Sequence, residues 1–142
     1  MAPIERFRKL AVKRGLTPGG MLDASPGDLD LLLLSLRRQF VVTRVYTERE
    51  VNELVSIWLV SVGAMLEIDH VELRRWLIDL SILSRDVYGH AYSVAPVPPH
   101  LLRLEGDIAQ IDFVLEFTDA NARESHKRAE RKAAWQQAKS AS

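Results

Sequence analysis

Apolar positions recur at helical spacing over most of the chain, and the breaks in that spacing mark the elements. Ile4, Phe7 and Leu10 or Ala11 predict a short helix over 3–14, with Pro3 in the first turn and Gly15 as its stop. Thr17-Pro18-Gly19-Gly20 predicts a turn or linker. Ser25-Pro26-Gly27-Asp28 then opens a helix: Ser25 caps it, Pro26 fits its first position, and Asp28 faces the positive end of the dipole. That helix, about 26–39, carries Leu29, Leu32, Leu33 and Leu36, and Leu31 and Leu34 make it apolar on more than one side. Such a helix belongs at the centre of a fold. Phe40 to Tyr46 is rich in strand-favouring residues and predicts a short strand or extended connector. Thr47-Glu48-Arg49-Glu50 is a capping box, and Val51, Leu54, Val55, Trp58, Leu59, Val62, Met65 and Leu66 follow on one stripe. A single long helix is therefore predicted there, with Gly63 inside it.

Asp69 caps a further helix, about 70–80, whose apolar stripe is Leu73, Trp76, Leu77 and Leu80. Ile82 to Arg85 and His90 to Val94 flank Asp86-Val87-Tyr88-Gly89, the pattern of a hairpin with a Gly-containing turn. Ala95 to Pro99 holds three prolines and reads as an extended linker. From Leu101 the residues Leu101, Leu104, Ile108, Ile111 and Leu115 alternate three and four apart, as in a coiled-coil seam. The spacing predicts one long C-terminal helix. Its seam either pairs with a second copy, antiparallel, or packs on the chain's own body.

The order helix, short strand, helix, helix, two-stranded hairpin is that of a winged helix-turn-helix. The expected fold is mainly α: a winged helix-turn-helix-like body with a short β-hairpin wing and a long C-terminal helix. Residues 1–20 form a basic N-terminal helix and linker, 21–95 the winged-helix-like domain, and 96–142 a Pro linker and C-terminal helix with a basic tail.

The residues carry a closer likeness. Tyr46-Thr47-Glu48-Arg49-Glu50-Val51-Asn52-Glu53, then Leu73-Arg74-Arg75 with Leu77, then Leu83, Arg85-Asp86, Gly89 and Tyr92, resemble the bacterial domain-of-unknown-function family 2087 over roughly residues 28–94. The resemblance implies a small winged-helix domain of a kind sometimes fused to DNA-binding modules of transcription regulators. The family label itself implies no established activity. Three departures stand out. About eight extra residues separate the Glu-Val-Asn-Glu and Leu-Arg-Arg pieces, close to two helical turns, so they are expected to prolong the second helix without rotating its stripe. Ser81 stands where the family tends to have Gly, and Ser93 where it usually has an aromatic residue.

Composition narrows the function classes. The 142 residues make one domain's worth of chain, with 47% hydrophobic and 27% charged residues. The lack of cysteine excludes disulfide scaffolds, thiolate metal sites and thiol nucleophiles, and fits a cytoplasmic address. The longest uninterrupted apolar run, Leu31 to Leu34, is far too short to span a membrane, and charged residues break the N-terminal apolar stretch where a signal peptide would need none. No Gly-rich phosphate loop or nucleophile motif is present. His70 with Asp69, Glu72 or His90 lacks helical metal-ligand spacing, so no metal, cofactor or small-molecule ligand is expected, and no enzyme.

The formal net charge of zero hides a segregation. Residues 1–20 carry five basic groups against one acidic, residues 119–142 six against three, and residues 21–118 eight against fifteen, so two basic ends flank an acidic body. Candidate contacts to a nucleic acid or an acidic partner are therefore Arg8, Lys9, Lys13 and Arg14 at one end and Lys127, Arg128, Arg131 and Lys132 at the other. In the body they are Arg74 and Arg75 on the third helix and Arg85 on the wing. Asp69, Glu72 and Asp79 leave that third helix net acidic, and Arg75–Asp79 has the spacing of an intrahelical ion pair. The leading expectation is a bacterial regulatory or protein-interaction module with a protein partner or a homodimer. The alternative is a DNA-binding transcription regulator. A positive, uncovered third helix and wing would favour DNA; a covered or apolar one would favour a protein.

Overall fold

The leucine-rich helix predicted to be central is α3, Pro26–Arg37, and it is covered on every side: Leu29, Leu31, Leu32, Leu33, Leu34 and Leu36 are all buried. Ser35 is buried with them, its hydroxyl satisfied by donating to the Leu32 carbonyl at 2.7 Å. The computed structural model describes residues 1–141. Around α3 stand α1 (Pro3–Ala11), α2 (Pro18–Ala24), β1 (Tyr46–Thr47), α4 (Glu48–Leu59), α5 (His70–Asp79), β2 (Leu83–Arg85), β3 (Ala91–Val94), a 3₁₀ turn (Pro99–Leu101), α6 (Leu102–Asp107) and α7 (Phe113–Ala141). The fold is mainly α, with a small antiparallel sheet in the order β1-β3-β2 and a long C-terminal helix.

Three expectations need correction. The Thr17-Pro18-Gly19-Gly20 stretch is not a linker but the start of α2. Thr17 accepts a hydrogen bond from the Gly20 amide at 3.1 Å, and Pro18 takes the first helical position, where its missing N–H costs nothing. Ser25 does stand at the head of α3, but its side chain caps nothing there. The first turn is instead tied to α1 by a 3.0 Å ion pair between Asp28 and Arg6.

The second correction concerns the stripe from Val51 to Leu66. The helix ends at Leu59, and the chain turns back across Trp58. The Gly63 amide donates to the Trp58 carbonyl at 2.8 Å, and a Cβ at residue 63 would lie 2.1 Å from the indole. Val62, Met65 and Leu66 are buried as expected, but from a loop. The extra residues therefore do not prolong α4. They make a connection that pairs with the N-terminal region, Leu16 N to Met65 O at 3.0 Å and Glu67 N to Leu16 O at 2.7 Å. A pattern read at helical spacing is satisfied here by tertiary packing instead.

The third concerns the predicted C-terminal seam. It is broken between α6 and α7, and its members go to the chain's own core: Leu101, Ile108 and Ile111 are buried, while Leu115 is exposed. Two side chains stabilise the break. Arg38, at the end of α3, donates to the freed carbonyls of Ile108 (3.0 Å) and Ile111 (2.8 Å), and Asp112 accepts from the Leu115 amide at 3.1 Å to restart the helix. Phe113 then meets Phe7 of α1 edge-to-face, ring centres 4.8 Å apart. The continuous apolar seam that an antiparallel dimer would need does not exist.

Two departures from the family pattern now have a structural setting. Ser81, which follows α5, has φ +60°, the left-handed region where glycine is unstrained. Ser93 pairs across the sheet with Ser84, their hydroxyls 3.0 Å apart.

Gly63→Ala should lower stability by about 1–3 kcal/mol, because the buried indole has no room to yield; a shifted denaturant midpoint at constant slope would show it. Ser81→Gly should raise stability by up to about 1 kcal/mol by releasing the left-handed strain, read as an increase in melting temperature.

Candidate functional site

Local chemistry first positions α4. Thr47 accepts from the Glu50 amide at 3.2 Å, and Glu50 accepts from the Thr47 amide at 3.0 Å, the predicted capping box. The Thr47 amide, and next to it the Arg44 guanidinium, hold the Glu50 carboxyl below the usual carboxylate range. Glu48, one residue into the helix, does something the sequence did not reveal. Its Oε1 accepts from the Tyr92 hydroxyl at 3.2 Å and lies 3.2 Å from the Arg74 guanidinium, which also donates to Asn52. One carboxylate thus ties α4 to α5 and to β3.

The consequence is that Arg74 and Arg75, neighbours in sequence, have different fates. Arg74 is enclosed, with its side chain 13% exposed and its donors committed to Glu48 and Asn52. Arg75 is exposed and makes no hydrogen bond or ion pair among the described residues; the ion pair with Asp79 that its spacing allows does not form. Arg85, on β2, is exposed and equally without a partner among them. Arg74, Arg75 and Arg85 nevertheless line one cleft of about 330 Å³ between α5 and the hairpin, with Ile78, Asp79 and Tyr92. Three basic residues face one carboxylate there. The sequence placed these arginines on two elements; the Arg85–Tyr92 register of the hairpin is what brings them together.

The hairpin itself is held by Asp86. Its Oδ1 accepts from the amides of His90 (2.8 Å) and Ala91 (3.2 Å), and Gly89 supplies the positive φ of +73° that the turn needs. Val87 and Tyr88 at the tip are 92% and 79% exposed.

The basic ends also find places. Arg8 on α1 pairs with Glu116 of α7 at 2.7 Å. Arg14 donates to the Ala11 and Lys13 carbonyls and to Asn121, and lies 5.5 Å from the Phe117 ring. These two arginines dock α7 against α1. Lys9 and Lys13 are exposed. On α7, Arg128 and Arg131 share Glu124 at 3.5 and 3.3 Å, while Lys127 and Lys132 extend from the exposed surface. Among the described residues no group of three or more His, Asp or Glu side chains is arranged to hold a metal, and no helix is long and apolar enough to cross a membrane.

The residues of the family likeness build a mainly α domain with a three-stranded antiparallel sheet, held by this capping box and this Glu48 bridge. The profile of DUF2087, described as an uncharacterized protein conserved in bacteria, matches residues 24–94, and the chain belongs to that family. Comparisons with curated proteins and with solved structures gave no match. The quoted motif residues divide by task in the structure. Thr47 and Glu50 cap a helix; Glu48, Asn52, Arg74 and Tyr92 bridge three elements; Asp86 and Gly89 close the turn. Of the motif arginines, Arg75 and Arg85 are the two left without a structural partner among the described residues.

Because its amide donors, first His90 and then Ala91, hold the Asp86 carboxyl below its ordinary value of 3.8, the native hairpin favours the ionised form. That contribution is complete above the ordinary value and is lost as pH falls through the lower native one. On acidification the His90 and Ala91 amide resonances should shift together and the hairpin loosen; Asp86→Asn should abolish that step.

Proposed function

We propose that this chain is a non-catalytic, cytoplasmic binding module with a winged-helix-like body that docks on duplex DNA through α5 and the hairpin. The element order helix, strand, helix, helix, hairpin supports the winged-helix reading. The observation that carries the docking reading is the state of the α5–hairpin face: Arg75 and Arg85 are exposed, unpaired and on the rim of one cleft. Unpaired guanidiniums on a surface helix and an adjacent wing are the groups that phosphates and guanine edges accept. No other element among the described residues covers them. That feature favours the DNA reading over the protein-partner reading that leads from sequence alone. Arg74 belongs to the scaffold instead, because withdrawing its guanidinium would strip Glu48 of a partner.

The test is a titration against two unrelated duplexes. Arg75→Ala and Arg85→Ala should each weaken binding, by about 1–3 kcal/mol where the side chain reads a base, or by a uniform loss with a salt slope smaller by about 0.9 where it meets a phosphate. Arg74→Ala should lower the melting temperature more than it changes the preference between duplexes. Absence of binding to either duplex would remove the proposal and return the choice to a protein-interaction module, which the exposed Val41, Val42 and Val45 in the loop before β1 favour.

A further inference from the structure

The two basic ends, more than a hundred residues apart in sequence, are one surface in the fold. α1 packs along the first turns of α7, fixed by Arg8–Glu116 and by Asn121 donating to the Ala11 carbonyl at 2.9 Å. Between the helices runs a groove of about 220 Å³ whose lining includes Arg8, Lys9, Arg123 and Lys127, against Glu124 alone. Past Glu124, after which every described residue of α7 is exposed, the helix leaves the body and runs on to Ala141. At about 1.5 Å per residue, that projection is roughly 25 Å long.

A helix with no packed face needs another reason for its sequence. At the α-helical period, Arg123, Lys127, Arg128, Arg131, Lys132 and Lys139 all fall within one half of the circumference, with Trp135 among them and with Glu124 as the one carboxylate there, paired with Arg128 and Arg131. Ala129, Ala133, Gln136, Gln137 and Ser140 occupy the other half. Trp135 is 63% exposed, with the Lys139 ammonium 5.0 Å from its ring. This half-and-half pattern decides between occupants. An interfacial membrane helix needs a large apolar face opposite its cations, and here that face is Ala, Gln and Ser together with the polar pair His126–Glu130. A partner helix needs an apolar stripe, and none exists past Phe117. What the face matches is a linear array of negative charge. The net-acidic middle of the chain supplies no long-range attraction for such an array, so a track of this length is carried by the cations of the two ends.

We infer that the continuous basic face of α1 and α7 binds the phosphate backbone of duplex nucleic acid without reading its sequence. This does not rest on the α5–hairpin site. Arg8 and Arg14 build the junction, Lys9 with Arg123 and Lys127 begins the track, and Trp135 offers a flat surface for a sugar or a frayed base at its far end.

The experiment uses the full chain and the triple variant Arg123→Gln/Lys127→Gln/Lys132→Gln. These side chains lie outside the core, so the melting temperature should match the parent's. Fluorescence anisotropy with the same two unrelated duplexes should show a fall of at least about tenfold in affinity, equal for both. The slope of log affinity against log salt should shrink by up to about 2.7, three contacts at about 0.9 each. Unchanged affinity in the triple variant overturns the inference. So does binding of the parent to vesicles of anionic lipid but not to duplex. The Arg75→Ala/Arg85→Ala double variant separates the two surfaces. If it loses binding while the triple variant does not, the α5–hairpin reading stands and this one falls. If the triple variant alone loses binding, this inference stands and the other falls.

Discussion

Six leucines within the eight positions 29–36 leave α3 no face to give to water, and the rest of the chain is arranged by the need to cover it. A helix apolar on all sides is stable in water only when other elements enclose it. α1 and α2 lie against it. Burial of Leu101 and Ile108 draws the segment after the prolines onto the same core, and Arg38 at its end holds the carbonyls released where that segment bends. The segments before and after the family-matched region are therefore part of one hydrophobic cluster, from Phe7 of α1 to Ala120 of α7.

The second organising interaction is electrostatic. Glu48 receives the Tyr92 hydroxyl and the Arg74 guanidinium on one oxygen, so α4, α5 and the hairpin share a single polar anchor at half-buried depth. A carboxylate and a guanidinium taken partly out of water stabilise a fold only when their remaining hydrogen bonds are made, and Asn52 makes one of them. The anchor also sorts the arginines by availability. It occupies Arg74 and, by fixing the hairpin against α5, leaves Arg75 and Arg85 facing outward over one cleft. A scaffold interaction in this way shapes the surface that the proposed function uses.

Charge segregation along the chain becomes charge segregation in space only because α1 and α7 pack together. Their contact is apolar where Phe7 meets Phe113 and polar where Arg8 meets Glu116. The pairing of Arg8 with Glu116 neutralises a charge at the junction, while Lys9, Arg123 and Lys127 stay on its outer side. Unpaired cations held close together repel, and the folded chain tolerates them because they are exposed and solvated rather than buried.

Local rules written into the sequence determined much of this protein. The capping box at Thr47 and Glu50, the cap at Asp69, the hairpin around Asp86-Val87-Tyr88-Gly89 and the buried centre at α3 all depend on residues within a few positions of one another, and each is where the spacing placed it. Tertiary structure decided wherever a short-range pattern had two physical solutions. Thr17 to Gly20 serves equally as a turn or as a capped helix start, and packing of Met21 selects the helix. The stripe beyond Leu59 fits a continued helix, but Gly63 lets the chain fold tightly over Trp58 and bury the same residues from a loop. The seam from Leu101 to Leu115 fits a coiled coil, but the burial of Leu101, Ile108 and Ile111 in the chain's own core and the donors of Arg38 stabilise a bend over an unbroken helix. Which of two adjacent arginines faces solvent, and whether two distant basic ends form one face, depend on contacts spanning tens to a hundred residues. No periodicity within a window of a few turns encodes such contacts.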